Sequence, residues 1–185
     1  MQTALRCILI AFLVGIVLSG NAQTNRLKTD SANIVSLQIY RQHFWDSLPK
    51  PKGVVNDYEE LYSLDEKHTL DSIIKRFKRD TGIEIAIVTI DTNCVSMDNF
   101  ENLTLHIGNT WGVGQKGKDN GILIAISKGY HRMRIENGYG IEKLISDKET
   151  HDIIYAEFIP YFKNGKYYDG TRNGLLKLIE LLNKK

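Results

Sequence analysis

The chain has 185 residues, of which 42% are hydrophobic and 25% are charged, so its composition suits one globular domain and makes a second full domain implausible. The formal net charge is only +2. This balance argues against a nucleic-acid partner, because proteins that bind nucleic acids normally carry a strongly basic face.

The first 23 residues have the pattern of a secretory signal peptide. Arg6 supplies a positive charge, residues 7–18 are almost wholly apolar, and small residues around Ala22 suit a cleavage site. A membrane anchor is the alternative, but the apolar run is shorter than the roughly 20 residues that a spanning helix needs. We therefore expect a periplasmic or secreted protein with no stable membrane anchor after cleavage.

Residues 24–53 are predicted to be a linker, in part helical, and residues 54–185 a single domain. Pro49 and Pro51 exclude a regular helix just before Val54, where we expect the domain to begin. Cys94 is the one cysteine that remains after cleavage, so no internal disulfide is expected. A buried side chain is a more ordinary role for it than a reactive thiol.

The first half of the domain predicts a helix, a strand and a second helix. Ser63 and Glu66 have the spacing of a capping box, and apolar residues at helical intervals follow, so we expect a helix over residues 64–80. Residues 83–90 are short, β-branched and almost continuously apolar, as in a buried strand. Residues 97–111 carry an apolar stripe and form the second predicted helix, which ends at a glycine-rich segment.

The second half predicts a hairpin followed by two helices. Residues 121–127 form another buried strand, and residues 131–136 pair with it antiparallel after a tight turn at Gly129. A second capping box at Ser146 opens a helix that Pro160 kinks or shortens, and the last helix covers residues 170–183. The fold class that follows is α/β: a three-layer α/β/α sandwich around a central mixed sheet of about four strands.

Motifs of several common enzyme classes are missing. The sequence has no phosphate-binding P-loop, no nucleophile elbow, no zinc-protease motif and no pair of cysteines with two residues between them. The five histidines stand singly, so a zinc mechanism is disfavoured.

Acidic residues near two glycine-rich loops are the main candidate site. The hairpin places residue 121 beside residue 138, which brings Asp119, Glu142 and Asp147 toward one edge of the sheet. Carboxylates on glycine-containing loops suit a hard cation such as Ca²⁺ or Mg²⁺. The alternative for each residue is structural: a turn at Asp119, a solvated Glu142, and a helix-capping charge at Asp147.

Several blocks in order resemble those of the TPM-domain family and together cover residues 54–183. The blocks are Val55-Asn56-Asp57, Thr81 to Val88, Trp111 to Gly121, Arg134 to Glu142, Ile159-Pro160 and Gly165 to Gly170. The resemblance implies the same α/β/α sandwich.

The resemblance also implies a set of site residues. The matched acidic positions are Asp57, Asp119, Glu142 and Asp147, with the backbone of Gly138, Tyr139 and Gly140 shaping the site. Family members usually have an apolar residue where this chain has Asn137, which either adds a ligand or tolerates exposure. Many bacterial relatives continue into a transmembrane helix, whereas this chain ends at Lys185.

The family implies two functions, because relatives include a plant acid phosphatase and an accessory protein of an animal membrane receptor. The first hypothesis is an accessory or interaction module of envelope or membrane protein complexes, with a bound Ca²⁺ or Mg²⁺ and with exposed Tyr139, Tyr167 and Tyr168 contacting a partner. Packing of these tyrosines over the sheet edge is the alternative to their exposure. The second is a metal-assisted acid phosphatase; its catalytic residues are not identified by the sequence.

Overall fold

The computed structural model describes residues 30–185, and the predicted signal peptide, residues 1–23, lies outside them. The chain divides into two units, with the boundary between His43 and Phe44. Residues 30–46 are helical and are called α1. The second unit begins at Phe44, before the Val54 at which the sequence predicts the domain to start.

The N-terminal residues of the second unit pack on its core. Phe44, Trp45 and Leu48 contact one of the two apolar clusters of the domain. Trp45 stacks on His106 with ring centroids 4.3 Å apart. The carbonyl oxygen of Trp45 lies 2.9 Å from Nε2 of His106. Part of the predicted linker is therefore a packed element of the second unit.

A four-stranded mixed sheet forms the middle layer. The strands are β1 (Val55–Asp57), β2 (Glu84–Thr89), β3 (Gly121–Ser127) and β4 (Arg132–Asn137). They lie in the order β1-β2-β3-β4; the first three are parallel, and β4 pairs antiparallel with β3. Every residue of β3 is buried, which explains its unbroken apolar run. The predicted mixed sheet is confirmed.

Helices cover both faces of this sheet. Helix α2 (Leu64–Thr81) packs on one face together with the C-terminal helices, and α3 (Phe100–Trp111), preceded by a short 3₁₀ turn, packs on the other. Side chains of β2 and β3 alternate between these two apolar clusters because successive residues of a strand face opposite sides. The predicted three-layer α/β/α sandwich follows from this arrangement.

The C-terminal helices form a broken layer. They are α4 (Tyr139–Glu142), α5 (Asp147–Ile153), a π-helical turn (Ile154–Phe158), α6 (Ile159–Phe162) and α7 (Tyr167–Leu182). Pro160 has no N–H to donate to the preceding turn, and before it α5 ends at Ile153 and the backbone widens into the π-helical turn. The helix is therefore shortened, one of the two effects predicted for Pro160. None of the helices in residues 30–185 combines the length and the apolarity needed to cross a membrane.

One expectation about the tyrosines is wrong. Tyr139 is exposed, at 74%, but Tyr167 is only 9% exposed, because it begins α7 and packs against Phe162 with ring centroids 4.9 Å apart. Tyr168 is half-buried. The last helix begins three residues earlier than predicted, which turns Tyr167 from a loop residue into a core residue.

Candidate functional site

Two glycine-rich loops meet at the end of the sheet where β3 begins and β4 stops. Gly138 N–H donates to the carbonyl oxygen of Gly121 at 2.8 Å, and Gly140 N–H donates to that of Asp119 at 2.9 Å. The predicted neighbourhood of residues 121 and 138 is therefore confirmed. The contact fixes the start of α4, and with it Glu142, relative to the loop before β3.

Close backbone approach explains why two of these positions are glycines. A Cβ atom on Gly138 would lie 2.3 Å from the carbonyl oxygen of Asp119, and one on Gly140 would lie 2.1 Å from that of Lys118. Any side chain would force the two loops apart. Gly138 and Gly140 shape this edge through their lack of a side chain.

Asp119 lies in a loop held by its neighbour Asn120. The side chain of Asn120 accepts from Gln115 N–H at 2.8 Å and donates to the carbonyl oxygen of Gly82 at 2.8 Å. Asp119 adopts the left-handed region, with φ of 49°, and is exposed. Its backbone is thus fixed, and its carboxylate faces solvent.

A groove of about 510 Å³ runs along the outer edge of β4, and we call it the edge groove. Residues 131–137 form its floor, and Asp147, His151 and Tyr155 belong to the helical wall. The rings of His151 and Tyr155 stack with centroids 4.2 Å apart. Glu142 also lines the groove, at the end where β4 stops.

Asn137 supplies a buried polar atom without a partner at that same end. Its Nδ2 donates to Thr150 Oγ1 at 3.0 Å, but among the described residues its buried Oδ1 has no hydrogen-bond partner. Glu142 and Asp147, both exposed, line the groove beside it and form no ion pair within residues 30–185. Asn137, Glu142 and Asp147 therefore line one recess.

Asp57 lies elsewhere. It is the last residue of β1, beside Thr89 at the end of β2, whereas Asp119 precedes the first residue of β3. Because these strands are parallel, the two residues lie at opposite ends of the strands. Its side chain is fully buried. The carboxylate accepts hydrogen bonds from the N–H groups of Leu61 and Tyr62 at 3.0 Å and from the hydroxyl of Thr89 at 2.7 Å. Asp57 holds the turn between β1 and α2.

The four predicted acidic residues are therefore not brought together as a set. Over residues 30–185, no three Asp, Glu, His or Cys side chains form a group that could hold a metal ion. Glu142 and Asp147 share the edge groove, Asp119 joins them through the contact of its carbonyl with Gly140, and Asp57 is remote.

Charges in the middle of the edge groove are satisfied within the protein. Arg134 Nε lies 2.9 Å from Glu136, and its terminal nitrogen lies 3.2 Å from Glu101 on α3. Partial burial lowers the pKa of Arg134, but the hydrogen bond and charge of Glu136, with Glu101, outweigh it and raise that pKa overall. Thr104 donates to the same Glu136 oxygen at 2.6 Å. Arg134 is thus committed to a structural network.

The edge groove itself was missed by sequence reasoning, although one signal pointed to it. A strand that pairs antiparallel at the end of a mixed sheet has an open edge. The position of β4 next to α5 and the π-helical turn depends on tertiary packing, which cannot be predicted from the hydrophobic pattern of these segments.

Comparisons with known proteins agree with this fold. The chain matches the family model of the TPM domain over residues 55–181. A search among curated proteins finds no match.

Three solved structures of similar fold are NMR structures of bacterial proteins. The N-terminal domain of a P. gingivalis protein is 28% identical, with a TM-score of 0.65, covering 71% of this chain and 82% of that one. The BA42 protein of Bizionia argentinensis is 20% identical, with a TM-score of 0.59 and coverage of 69% and 85%. An N-terminal domain from Corynebacterium glutamicum is 18% identical, with a TM-score of 0.51 and coverage of 75% and 82%.

The last two similarities concern the fold alone. The family model matches well over half of the chain, and it spans β1, the glycine-rich loops and the edge groove. The chain belongs to the TPM-domain family.

Proposed function

We propose that this protein is an exported TPM-domain protein that binds a divalent cation, Ca²⁺ or Mg²⁺, and serves as an accessory or interaction module for envelope or membrane protein complexes. The supporting observation is that Asn137, whose buried Oδ1 has no partner among residues 30–185, lines the same recess as Glu142 and Asp147, whose carboxylates form no ion pair within those residues. A buried acceptor without a donor costs free energy, which a bound cation would recover.

The donor set fits a hard cation. Asn137, Glu142 and Asp147 offer only oxygen atoms, which Ca²⁺ and Mg²⁺ prefer, and the recess opens to solvent that would supply further ligands. Two carboxylates on an open surface resemble weak extracellular sites, so we expect a dissociation constant of roughly 0.1–1 mM. Asp119 would act through the loop that its carbonyl fixes.

A metal-assisted acid phosphatase is the alternative function. A cation held by these residues would polarise a phosphoryl oxygen. Such an enzyme also needs cationic side chains near the transferred group, and Arg134, the arginine nearest to Asn137 along β4, is paired with Glu136 and Glu101. We therefore favour binding over catalysis.

Calorimetric titration of the mature protein with Ca²⁺ and with Mg²⁺ tests the cation site. We expect saturable binding that Glu142→Gln and Asp147→Asn each weaken about tenfold or more. Asp152→Asn is the matched control, since Asp152 is on the same helix but pairs with Lys148 outside the groove. Equal binding by all three variants would exclude this site.

A phosphomonoester assay in the same buffers separates the two functions. Cation binding without hydrolysis of p-nitrophenyl phosphate is the expected result. Hydrolysis that disappears in Glu142→Gln and persists in Asp152→Asn would instead establish the phosphatase.

The exported location follows from the predicted signal peptide and is tested by N-terminal sequencing of the protein recovered from culture medium and periplasmic extract. We expect a mature N-terminus close to residue 24. An intact Met1 in either fraction would contradict signal cleavage.

A further inference from the structure

Within residues 30–185, no strand pairs with the outer side of β4. Gly138 N–H bonds to Gly121, and pairs in an antiparallel ladder alternate between bonded and non-bonded residues. The backbone N–H and C=O groups of Met133, Ile135 and Asn137 therefore point away from β3. Up to six backbone hydrogen bonds are available to an added strand along the floor of the edge groove.

A helical wall stands on one face of this edge. Tyr155 is 60% exposed and stacks on His151, and both line the edge groove. The π-helical turn contains Tyr155 and widens the helix at this point. Exposed aromatic side chains beside an open strand edge provide contact area for a peptide that lies between them.

Unpaired positive charge marks the end of the groove where β4 begins. Arg132 and Lys163 are exposed and form no ion pair within residues 30–185, in contrast to Arg134 in the middle of the strand. Both residues line a second cavity of about 320 Å³ that shares His131, Arg132 and Ile159 with the edge groove. Ile159, Phe162 and Tyr167 give this cavity an apolar interior.

We propose that the edge groove binds the extended C-terminal segment of a partner protein, added to β4 as an antiparallel strand. The terminal carboxylate would pair with Arg132 and Lys163, and the last side chain, which must be apolar, would fill the second cavity. Because the carboxylate lies where β4 begins, the peptide must run in the direction opposite to β4. Backbone bonds would supply affinity, and the cavity would supply specificity.

A single strand fits this edge better than a second copy of the chain. Pairing β4 with another β4 about a two-fold axis normal to the sheet places the same face of both copies on one side. Each copy would then bring its own wall of His151 and Tyr155 to that face, and the two walls would compete for one space.

This inference rests on the proposed interaction role but does not depend on the cation. The carboxylate-binding end uses Arg132 and Lys163, and the proposed cation ligands Asn137, Glu142 and Asp147 lie at the other end of the groove. Peptide binding in EDTA and in Ca²⁺ therefore tests the two proposals separately.

The test uses a fluorescent peptide of about ten residues, with alternating Thr and Val and a free carboxylate on a final Val, titrated with the mature protein. We expect the fluorescence anisotropy of the peptide to rise to saturation in EDTA. Amidation of the peptide C-terminus and Arg132→Glu should each weaken binding about tenfold, while Arg172→Glu, an exposed change on α7 outside both cavities, should leave it unchanged.

A second variant tests the backbone pairing. Met133→Pro removes an N–H that points away from β3, so the existing ladder keeps its bonds. We expect it to weaken peptide binding at least tenfold. Because Met133 packs against the core, the control is Met133→Ala, which loses the same packing but keeps the N–H, and the two variants should have similar circular dichroism and melting.

Four outcomes would overturn the proposal. They are the absence of saturation up to 1 mM protein, equal binding of the amidated peptide, equal binding by Arg132→Glu, and a dimer of the protein alone that Met133→Pro dissociates. The last outcome would assign the edge to a second copy. Binding of the free peptide in EDTA by a protein that shows no calorimetric response to Ca²⁺ would support this inference and remove only the cation from the proposed function.

Discussion

Asn137 is the residue on which the proposed cation site depends most. Its Nδ2 donates to Thr150, whereas its buried Oδ1 has no partner in the described part of the chain. The resemblance to the TPM-domain family led us to expect an apolar residue at this position. The missing hydrogen bond follows only from the packing of β4 against α5, which the sequence pattern does not specify.

Asn137→Leu separates function from stability. Leu removes an unsatisfied buried oxygen but also the hydrogen bond that Asn137 donates to the buried Thr150, so we expect the unfolding free energy of the metal-free protein to stay within about 1 kcal/mol of the wild type. Stabilisation by added Ca²⁺ should disappear. Urea unfolding with and without Ca²⁺ measures both quantities, and a loss of more than 1 kcal/mol without metal would show that Asn137 is structural.

Gly140→Ala tests the contact between the two glycine-rich loops. A Cβ at this position would meet the carbonyl oxygen of Lys118 at 2.1 Å, so we expect the variant to lose about 1–3 kcal/mol of unfolding free energy. Gly53→Ala is the control, because nothing lies within 4 Å of a Cβ there. Denaturant unfolding that gives the two variants equal stability would contradict this packing.

Among the elements, those with local signals were predictable. Both capping boxes form as predicted, at Ser63 with Glu66 and at Ser146 with Glu149, because the residues that make them are three positions apart. The elements that were not predicted lack such signals. Strand β1 has three residues, too few to show alternation, and α4 is one turn set by the contact of Gly138 and Gly140 with the neighbouring loop.

The capping box of α5 predicts a specific dependence of stability on acid. Hydrogen bonds from the backbone N–H of Ser146 and from Lys185 lower the pKa of Glu149 from 4.5 to about 2. A lowered pKa in the folded state means that its contribution to stability is present above about pH 4.5 and is lost as the pH falls toward 2. In Glu149→Gln, the slope of unfolding free energy against pH should therefore be smaller between these values.

Urea unfolding across that range compares Glu149→Gln with Glu157→Gln, for which no capping bond is present. Equal slopes for the wild type and Glu149→Gln would show that this capping box carries none of the acid dependence.

The packing of α7 against the preceding turns predicts another sensitive position. A Cβ on Gly174 would lie 1.9 Å from the ring of Phe158, which is fully buried. Gly174→Ala must displace that ring, so we expect a loss of about 1–3 kcal/mol, or more if the ring cannot move. Thermal melting against Gly53→Ala as the control measures the difference, and an unchanged melting temperature would contradict the close approach.

For the molecule as a whole, the sheet decides which residues act together. The parallel strands place Asp57 and Asp119 at opposite ends of the strands. The acidic residues matched along the sequence therefore do not all belong to one site. The antiparallel β4 places Asn137, Glu142 and Asp147 in one groove and leaves its outer edge open. The fold class was predictable from the order and burial of the strands; the composition of the groove required the three-dimensional arrangement.

The measurement that tests the central claim most directly is a residue-resolved NMR titration of the ¹⁵N-labelled mature protein with Ca²⁺. We expect saturable amide shifts centred on Asn137, Glu142 and Asp147, and we expect these shifts to disappear in Glu142→Gln. Shifts centred on Asp57, or no saturable shifts at millimolar Ca²⁺, would contradict it.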